Sequence, residues 1–249
     1  MNPWPDIHAK KAELDRLLAR HPRACDHLED WYAFELTYTS TVIEGNTLTR
    51  RDTALVLNEG ITPANKRVRE VDEMRDHQDA WRYACEVADE GEALGERTVK
   101  ALHALLMRRT DPDEGGRYSR FERRIQGANV VFPAPLQVPP LMEAFGAWLR
   151  EQVAGPEAAI EAHYRLVSIH PFSDGNGRTS RLLMNLMLRR AGYPPLLIDV
   201  DHRRTYLDAL ERRQTADDSH PYVRFMAERL AASLDDYIGT ARDVREDTA

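Results

Sequence analysis

The stretch His170-Pro171-Phe172-Ser173-Asp174-Gly175-Asn176-Gly177-Arg178-Thr179-Ser180-Arg181 interrupts a chain that otherwise consists mostly of helical patterns. Because the residue before a proline is disfavoured in the helical region, Pro171 predicts that one helix ends at His170. The composition of Arg181–Arg190 predicts that a second helix begins within the stretch. The sequence therefore places a glycine-containing turn between two helices.

This turn carries the residue types that bind a polyphosphate. Gly175 and Gly177 allow backbone N–H groups to converge on an anion, and the following helix adds free N–H donors at its N-terminus. Arg178 and Arg181, three residues apart, place two guanidinium groups beside those donors. Asp174 is a hard oxygen ligand of the kind that holds Mg²⁺ together with phosphate oxygens.

A base completes the set, since the ordinary pKa of a histidine such as His170 lies near neutrality. A phosphate-binding turn, a metal carboxylate and a base together predict a nucleotide-transfer site. Other known motifs fit poorly. A P-loop requires Gly-Lys-Ser/Thr, a dinucleotide fingerprint follows a strand, a Ca²⁺ loop has its glycine at a different position, and no His/Cys pattern suggests zinc.

The rest of the chain predicts an all-α fold with one β-hairpin. Glycines and prolines between Asp111 and Pro140 exclude a long helix there. Within that region, Arg123–Gln126 and Val130–Phe132 flank Gly127-Ala128-Asn129 and read as a small hairpin. Upstream, Thr49 is expected to begin a short helix, with Asp52 completing a capping box.

Composition excludes several classes of protein. Of 249 residues, 42% are hydrophobic and 30% charged, which argues against a disordered or collagen-like chain. Two cysteines suit a reducing compartment better than a disulfide scaffold. A net charge of −7 disfavours direct nucleic-acid binding, and no stretch resembles a signal peptide or membrane span. We therefore expect a cytoplasmic protein.

The motif residues resemble the signature of the Fic family, His-Pro-Phe-x-Asp-Gly-Asn-Gly-Arg-x-x-Arg, at every fixed position. The resemblance extends roughly from Trp31 to Tyr237, and includes Gly116-Arg117-Tyr118, Ala162-His163-Tyr164 and Gly192-Tyr193-Pro194. It implies a Fic-like helical bundle that transfers AMP from ATP to a Ser, Thr or Tyr hydroxyl of a target protein, with self-modification. The implied metal is Mg²⁺, for which Mn²⁺ can substitute.

The resemblance also implies roles for individual residues. His170 would deprotonate the target hydroxyl, and Asp174 would hold the metal. Amides near Gly175, Asn176 and Gly177 would bind phosphate oxygens with help from Arg178, and Arg181 would bind the γ-phosphate. The ATP-binding set is completed by Tyr206 and Gln214, which fall where relatives contact the nucleoside. Both could equally be helix surface.

The predicted hairpin, with Val130, Val131 and Phe132, resembles the family's flap, which positions the target side chain by strand addition. These three residues could instead be ordinary hairpin core. The related Doc kinases lack the Gly177-Arg178 pair, so its presence favours AMP transfer over phosphorylation. Phosphocholine transfer, a rarer family variation, stays open.

A second motif lies N-terminal to the first. Ser40 and Glu44 are one helical turn apart, and Gly45 predicts the end of their helix. Their segment resembles the Fic inhibitory motif, Ser/Thr-x-x-x-Glu-Gly/Asn, of class II members. There the glutamate pairs with the second motif arginine, here Arg181, and we expect an autoinhibited enzyme.

The predicted organisation is one compact unit in three parts. Residues 1–92 form an N-terminal helical region with the inhibitory helix at about 28–45, residues 93–238 form the Fic core, and 239–249 form a frayed tail. The family implies protein targets and a homodimer. Two other functions stay open: net removal of AMP from a modified protein by way of Glu44, and a regulatory module that binds nucleotide without turnover.

Overall fold

A computed structural model describes residues 2–124 and 129–246, with side chains described up to residue 243. The described residues form helices joined mostly by short loops, and the longest connection, residues 107–134, lies between two of them. The α-helices are α1 Trp4–Leu18, α2 Asp26–Ile43, α3 Arg50–Asn58, α4 Val68–Glu90, α5 Glu96–Leu106, α6 Val138–Glu151, α7 Pro156–Ile169, α8 Asn176–Arg190, α9 Arg203–Ala216 and α10 His220–Glu246. Short 3₁₀ helices precede α6 and α9, at Pro135–Gln137 and Val200–His202.

Helix α8 lies at the centre of the molecule and packs against α4, α5 and α7. Its residues from Asn185 to Leu188 are all buried, as expected for a helix surrounded by other helices. The polar member of this run, Asn185, forms hydrogen bonds to both backbone groups of Leu196, at 2.7 and 3.2 Å. The loop after α8 is therefore held against the core, and the first turn of α8 is fixed relative to its neighbours.

Helix α2 brings the second motif to the same place. It packs against α4 and reaches α8, and it ends at Ile43, with Gly45 in the left-handed region at φ +104°. The predicted end of this helix is confirmed. So is the predicted capping box, in which Thr49 and Asp52 bond reciprocally at the start of α3.

The predicted β-hairpin is wrong. Neither Arg123–Arg124 nor Val130–Phe132 is in a strand, and the described residues contain no sheet; residues 125–128, which include part of the predicted hairpin, lie outside them. A two-stranded ribbon is marginal without a third strand or a packed face, and Pro133 and Pro135 lack the N–H groups that a ladder needs. The chain instead places Phe132 inward and leaves Val131 92% exposed.

Helices α1 and α10 pack against each other on one side of the bundle. The segment predicted as a frayed tail overlaps the end of α10, where Ala241 is fully buried and Arg242 pairs with Glu13 of α1. Residues 247–249 lie outside the described part of the chain. No described helix is both long enough and apolar enough to cross a membrane.

Candidate active site

His170 occupies the end of α7 in the left-handed conformation, at φ +52°. A histidine tolerates this region only where its surroundings hold it, and such positions cluster at functional sites. Its Nδ1 atom lies 3.3 Å from the carbonyl oxygen of Val167. Because a carbonyl oxygen only accepts, Nδ1 carries the proton and Nε2 carries a lone pair. His170 is therefore oriented to act as a base through Nε2.

The ring of Phe132 stacks on His170, with centroids 4.0 Å apart. Burial lowers the pKa of His170, although the Val167 carbonyl and the negative charge of Glu44 act in the opposite direction. The result is a neutral imidazole at physiological pH, as a general base requires.

The turn after His170 is closed by Asn176. Its side-chain oxygen accepts from the backbone N–H of Phe172, and its side-chain nitrogen donates to the Phe172 carbonyl, both at 2.9 Å. Phe172 is fully buried and stacks on His103 at 3.7 Å. His103 in turn bonds to the Asp174 carbonyl oxygen at 3.0 Å and to the Gly116 N–H at 2.9 Å. The backbone of the turn is thus held from both sides.

The N-terminus of α8 forms the anion-binding turn. Gly175 precedes the helix at φ +73°, and no side chain caps the free amides of the first turn. These amides, which have no helical partner, are the donors that phosphate oxygens accept from. Gly177 leaves this surface open, because a Cβ there would lie 3.0 Å from Nη1 of Arg181 and would overlap Glu44.

Asp174 lies at the edge of this turn, with its side chain 48% exposed. Its carboxylate accepts from the Gly175 N–H at 2.6 Å and lies 3.2 Å from Arg178 and 3.4 Å from Arg69 of α4. Burial acts to raise the pKa of Asp174, but the charges of Arg178 and Arg69 and the Gly175 amide outweigh it, so the pKa is lowered.

An ionised Asp174 fits the role of a metal ligand. It borders a cavity of about 570 Å³ that Glu44, Arg69 and Arg178 also line. Across the described ranges no three His, Cys, Asp or Glu side chains cluster as a metal site. One carboxylate, with phosphate oxygens and waters completing the shell, is a common arrangement for Mg²⁺.

Arg181 is buried and is held by two residues of the second motif. Its Nε donates to the Ser40 hydroxyl and its Nη2 to the Ser40 carbonyl, both at 2.9 Å, and Nη2 also donates to Glu44 at 2.7 Å. The Arg181 side chain is 5% exposed and that of Glu44 39%. Burial alone would lower the pKa of Arg181, but the charge and hydrogen bond of Glu44, together with a smaller effect of Tyr206, outweigh it, so the pKa is raised and the guanidinium stays charged. The second sequence motif and the first thus meet in one ion pair.

The remaining candidates lie around this centre. Tyr206 is only 1% exposed, and its hydroxyl lies 2.9 Å from His163 rather than on the cavity surface. Gln214 donates to Ser168 at 3.1 Å, two residues before His170. Next to the residues that are not described, Asn129 donates its N–H to Glu211 of α9 at 2.9 Å, and Val130 is partly buried.

Sequence reasoning missed several residues that support the site. Arg69 approaches Asp174, and Arg203 donates to the Ile43 carbonyl at 2.7 Å, at the end of α2. The hydrogen bonds of His103 and His163 join residues far apart in the sequence, so the only signal available for these two was a histidine on an otherwise apolar helix face.

Comparison with known proteins supports the relationship that the motifs indicate. The model of the Fic/DOC family matches residues 93–188. The chain is 37% identical over 206 residues to protein adenylyltransferase Fic of Aedes aegypti, and 36% identical over 215 residues to that of Drosophila grimshawi. These alignments cover 81% and 85% of this chain but 41% and 44% of the relatives, so the chain spans less than half the length of either.

Two solved structures share the fold over nearly the whole chain. Fic-1 of C. elegans, residues 134–508, superposes with a TM-score of 0.87 at 30% identity, covering 97% of this chain and 72% of that one. A Fic domain containing signaling protein from Bacteroides thetaiotaomicron superposes with a TM-score of 0.85 at 27% identity, covering 97% of both chains. The family motif, these sequence identities and the shared fold show that the chain belongs to the Fic/DOC family.

Proposed function

We propose that this protein transfers AMP from ATP to a Ser, Thr or Tyr hydroxyl of a target protein, and that Glu44 inhibits the transfer. The observation that carries the proposal is one geometry. His170, with a lone pair on Nε2, and the uncapped amides of α8 lie at the two ends of the same turn, and Arg178 and Arg181 are buried at the start of α8. The names of the relatives, adenylyltransferases at 36–37% identity, support the same reaction.

His170 would act on the target hydroxyl. Its Nε2 takes the hydroxyl proton while the oxygen forms a bond to the α-phosphorus of ATP. The bond between that phosphorus and the oxygen leading to the β-phosphate breaks, and pyrophosphate leaves. Stacking against Phe132 limits rotation of the ring and keeps water from one face of it.

The start of α8 would bind the phosphates. The amides of Asn176 and Gly177 and the side chain of Arg178 are the donors available to them, and Arg181 is the donor for the γ-phosphate once Glu44 has left. Preorganised donors of this kind stabilise charge that develops on the transferred group without reorganising. Asp174 would hold Mg²⁺, which neutralises phosphate charge when bound; Arg69, now on the same carboxylate, would then move aside.

Glu44 inhibits in this proposal because it takes the donor that the γ-phosphate requires. A carboxylate at the C-terminus of α2 opposes the helix dipole, and Arg181 offsets that cost. While this pair persists, ATP can reach the amides of α8 but not Arg181, and its α-phosphate is not held for in-line attack. Inhibition would end when α2 or the Glu44 side chain moves away.

One contact also favours a second reaction, the hydrolytic removal of AMP from a modified protein. Glu44 lies against Gly177, in the turn that begins at His170, so its carboxylate and the histidine ring would act on the same phosphorus. Glu44 would take a proton from water while the water oxygen bonds to phosphorus and the bond from phosphorus to the protein oxygen breaks. His170, in its protonated form, would supply the proton that this departing oxygen takes up. Wild type, but not Glu44→Gly, should release AMP from a modified target.

The partner would be a protein with an accessible hydroxyl side chain. Phe121 and Val131, on either side of the residues not described, are 72% and 92% exposed and supply apolar surface, and Val131 precedes Phe132, which stacks on His170. The free thiols of Cys25 and Cys85 are consistent with a reducing compartment such as the cytoplasm. Dimerisation, which the family resemblance implies, would offer one way to move α2.

The deciding experiment measures label transfer from ATP labelled at the α-phosphate, in purified protein and in lysate. We expect little labelling by wild type, strong labelling by Glu44→Gly, and none by Glu44→Gly/His170→Ala. Equal labelling by wild type and Glu44→Gly would refute inhibition by Glu44. Nucleotide binding without transfer by Glu44→Gly, even in lysate, would indicate a regulatory module instead.

A further inference from the structure

Arg69, in the first turn of α4, lies against the carboxylate that is proposed to hold the metal. Its Nη2 atom donates to Oδ2 of Asp174 at 3.4 Å, and its Nε atom donates to Oε1 of Glu73, one turn further along α4, at 3.3 Å. The Arg69 side chain is 60% exposed and that of Glu73 is 18% exposed. Arg69 therefore bridges a carboxylate of its own helix and a carboxylate of the motif turn.

The two oxygens of the Asp174 carboxylate have different partners. Oδ1 accepts from the Gly175 N–H at 2.6 Å and lies 3.2 Å from Nη2 of Arg178, so it is held from within the turn and the start of α8. Oδ2 lies against Arg69. A metal ion at Asp174 would use the oxygen that the turn itself leaves open, and this is the oxygen that Arg69 covers.

A divalent cation that approaches Asp174 without nucleotide meets an unfavourable balance of charge. The carboxylate already has two guanidinium groups beside it, Arg69 and Arg178, and both repel the ion. The ion can bind Oδ2 only by displacing Arg69, and it then still lies close to Arg178. The free enzyme is therefore a poor binding site for the metal alone.

Phosphates would reverse this balance. Arg69 and Asp174 line one cavity of about 570 Å³ together with Arg178 and Glu44, which places Arg69 beside the space proposed for the triphosphate. A bound triphosphate brings several negative charges to this cavity, and the long side chain of Arg69 can exchange one anion for another while Glu73 keeps it at the edge. Oδ2 is then open to the metal ion, and phosphate oxygens supply further ligands.

We propose that Arg69 covers the metal-binding oxygen of Asp174 in the free enzyme and leaves it for a phosphate of the nucleotide, so that metal binding depends on nucleotide. This role rests on the proposed function, in which Asp174 is the metal ligand. If Arg69 were only a surface ion-pair partner, its charge would not affect the affinity for the metal.

The test measures Mn²⁺ binding without nucleotide, from the paramagnetic resonance signal of the free ion at low ionic strength. The starting point is Glu44→Gly, in which Glu44 can neither bind the ion nor obstruct the phosphates. Adding Arg69→Gln should tighten Mn²⁺ binding about fivefold, because one partly exposed ion pair no longer has to be broken. Binding of preformed Mn²⁺–ATP, measured by calorimetry, should change by less than about twofold, because Arg69 exchanges one anion for another.

Arg67→Gln is the matched control, because Arg67 lines the same cavity but Asp174 pairs with Arg69 and Arg178 instead. It removes the same charge and should leave the affinity for Mn²⁺ within about twofold of the Glu44→Gly value. Asp174→Asn should weaken Mn²⁺ binding and abolish the effect of Arg69→Gln, because the carboxylate for which both cations compete is gone.

Equal Mn²⁺ affinity with and without Arg69→Gln would overturn the proposed role of Arg69. An equal gain from Arg67→Gln would also overturn it, since the net charge of the cavity would then be the cause. So would Mn²⁺ binding that survives Asp174→Asn unchanged, which would place the ion elsewhere. A gain from Arg69→Gln that persists undiminished in about 0.5 M KCl would mean a reshaped turn rather than a lost ion pair, again contradicting the role.

These readouts do not depend on turnover. If Glu44→Gly transfers AMP but Arg69→Gln leaves the affinity for Mn²⁺ unchanged, the role of Arg69 fails and the proposed function stands. If Arg69→Gln tightens Mn²⁺ binding through Asp174 but no label is transferred, the proposed function fails and the role of Arg69 stands.

Discussion

Glu44 lies directly against Gly177, so that a Cβ added to the glycine would overlap Oε1 of the carboxylate. The two residues come from different motifs and are brought together by the packing of α2 near α8. The glycine that opens the anion-binding turn to phosphate therefore also leaves space for the Glu44 carboxylate beside it. The site therefore needs a residue without a side chain at position 177 both when Glu44 lies there and when phosphate is bound.

Gly177→Ala should reveal this contact as an energetic coupling. In wild type we expect a loss of about 1–3 kcal/mol of unfolding free energy from overpacking against Glu44. In Glu44→Gly the loss should be smaller by about 1 kcal/mol, because the overlap with the carboxylate is gone. The coupling is measured from the unfolding free energies, in urea, of wild type, Gly177→Ala, Glu44→Gly and the double variant.

Gly239→Ala is the matched control for that cycle, since Gly239 lies in α10 and a Cβ there meets no atom within 4 Å. It should be neutral or slightly stabilising in both backgrounds. If Gly177→Ala lowers the unfolding free energy equally with and without Glu44, the added methyl group does not strain the contact with Glu44.

Ser40→Ala should change activity in opposite directions in the two backgrounds. In wild type it removes an acceptor from Nε of Arg181, loosens the ion pair with Glu44 and should raise labelling several-fold, to a level below that of Glu44→Gly. In Glu44→Gly, where Ser40 only supports Arg181 for ATP, it should lower labelling. Initial rates of label transfer give both values.

Thr39→Ala is the control for Ser40, because the buried Thr39 hydroxyl bonds to Glu35 within its own helix. It should leave labelling unchanged in both backgrounds. The same direction of change for Ser40→Ala with and without Glu44 would argue against a dual role for Ser40.

The pH dependence of transfer should report the environment of His170. Its pKa is lowered, chiefly by burial. We therefore expect kcat/KM of Glu44→Gly to rise with pH through an inflection below about pH 6.5 and to level off above that inflection. Phe132→Ala exposes the ring and should move the inflection upward. Val131→Ala, at a 92% exposed position, should not move it. An inflection above pH 6.5 in Glu44→Gly would contradict a desolvated base.

Three buried histidines should make the protein sensitive to acid. Burial lowers the pKa of His77 and His163 to about 3 and that of His103 to about 4. The unfolded chain takes up these protons near pH 6.5, so between 6.5 and 4 it binds more protons than the folded chain. The contribution of these histidines to the unfolding free energy is therefore fully present above pH 6.5. Below pH 6.5 the unfolding free energy falls by up to about 1.4 kcal/mol per pH unit for each histidine.

Urea unfolding at pH 7.5, 6.5 and 5.5 measures this slope, and His77→Asn should reduce it by about one third. His77 suits this substitution because only its Nδ1 has a partner among the described residues, Thr37 at 3.1 Å. A flat profile down to pH 5 would mean that these rings accept protons in the folded state.

Local features of the fold were predictable from the sequence. Pro171 ends α7 at His170, Gly45 follows the end of α2, and Thr49 with Asp52 begins α3, all as predicted. Each depends on steric limits or hydrogen bonds within a few residues of the chain, so neighbouring residues contain the information. The hairpin failed for the opposite reason, since strand pairing needs partners that local sequence does not supply.

By itself the sequence determined which chemical groups the motif turn carries and that α7 ends before Pro171, because both follow from the residue types themselves. Only the tertiary structure decided which groups meet it. Glu44 and Arg181 are 137 positions apart, and the bonds from His163 to Tyr206 and Tyr222 join three helices. Such contacts depend on how helices pack and which polar groups become buried together, and the spacing of residues along the chain carries no record of either.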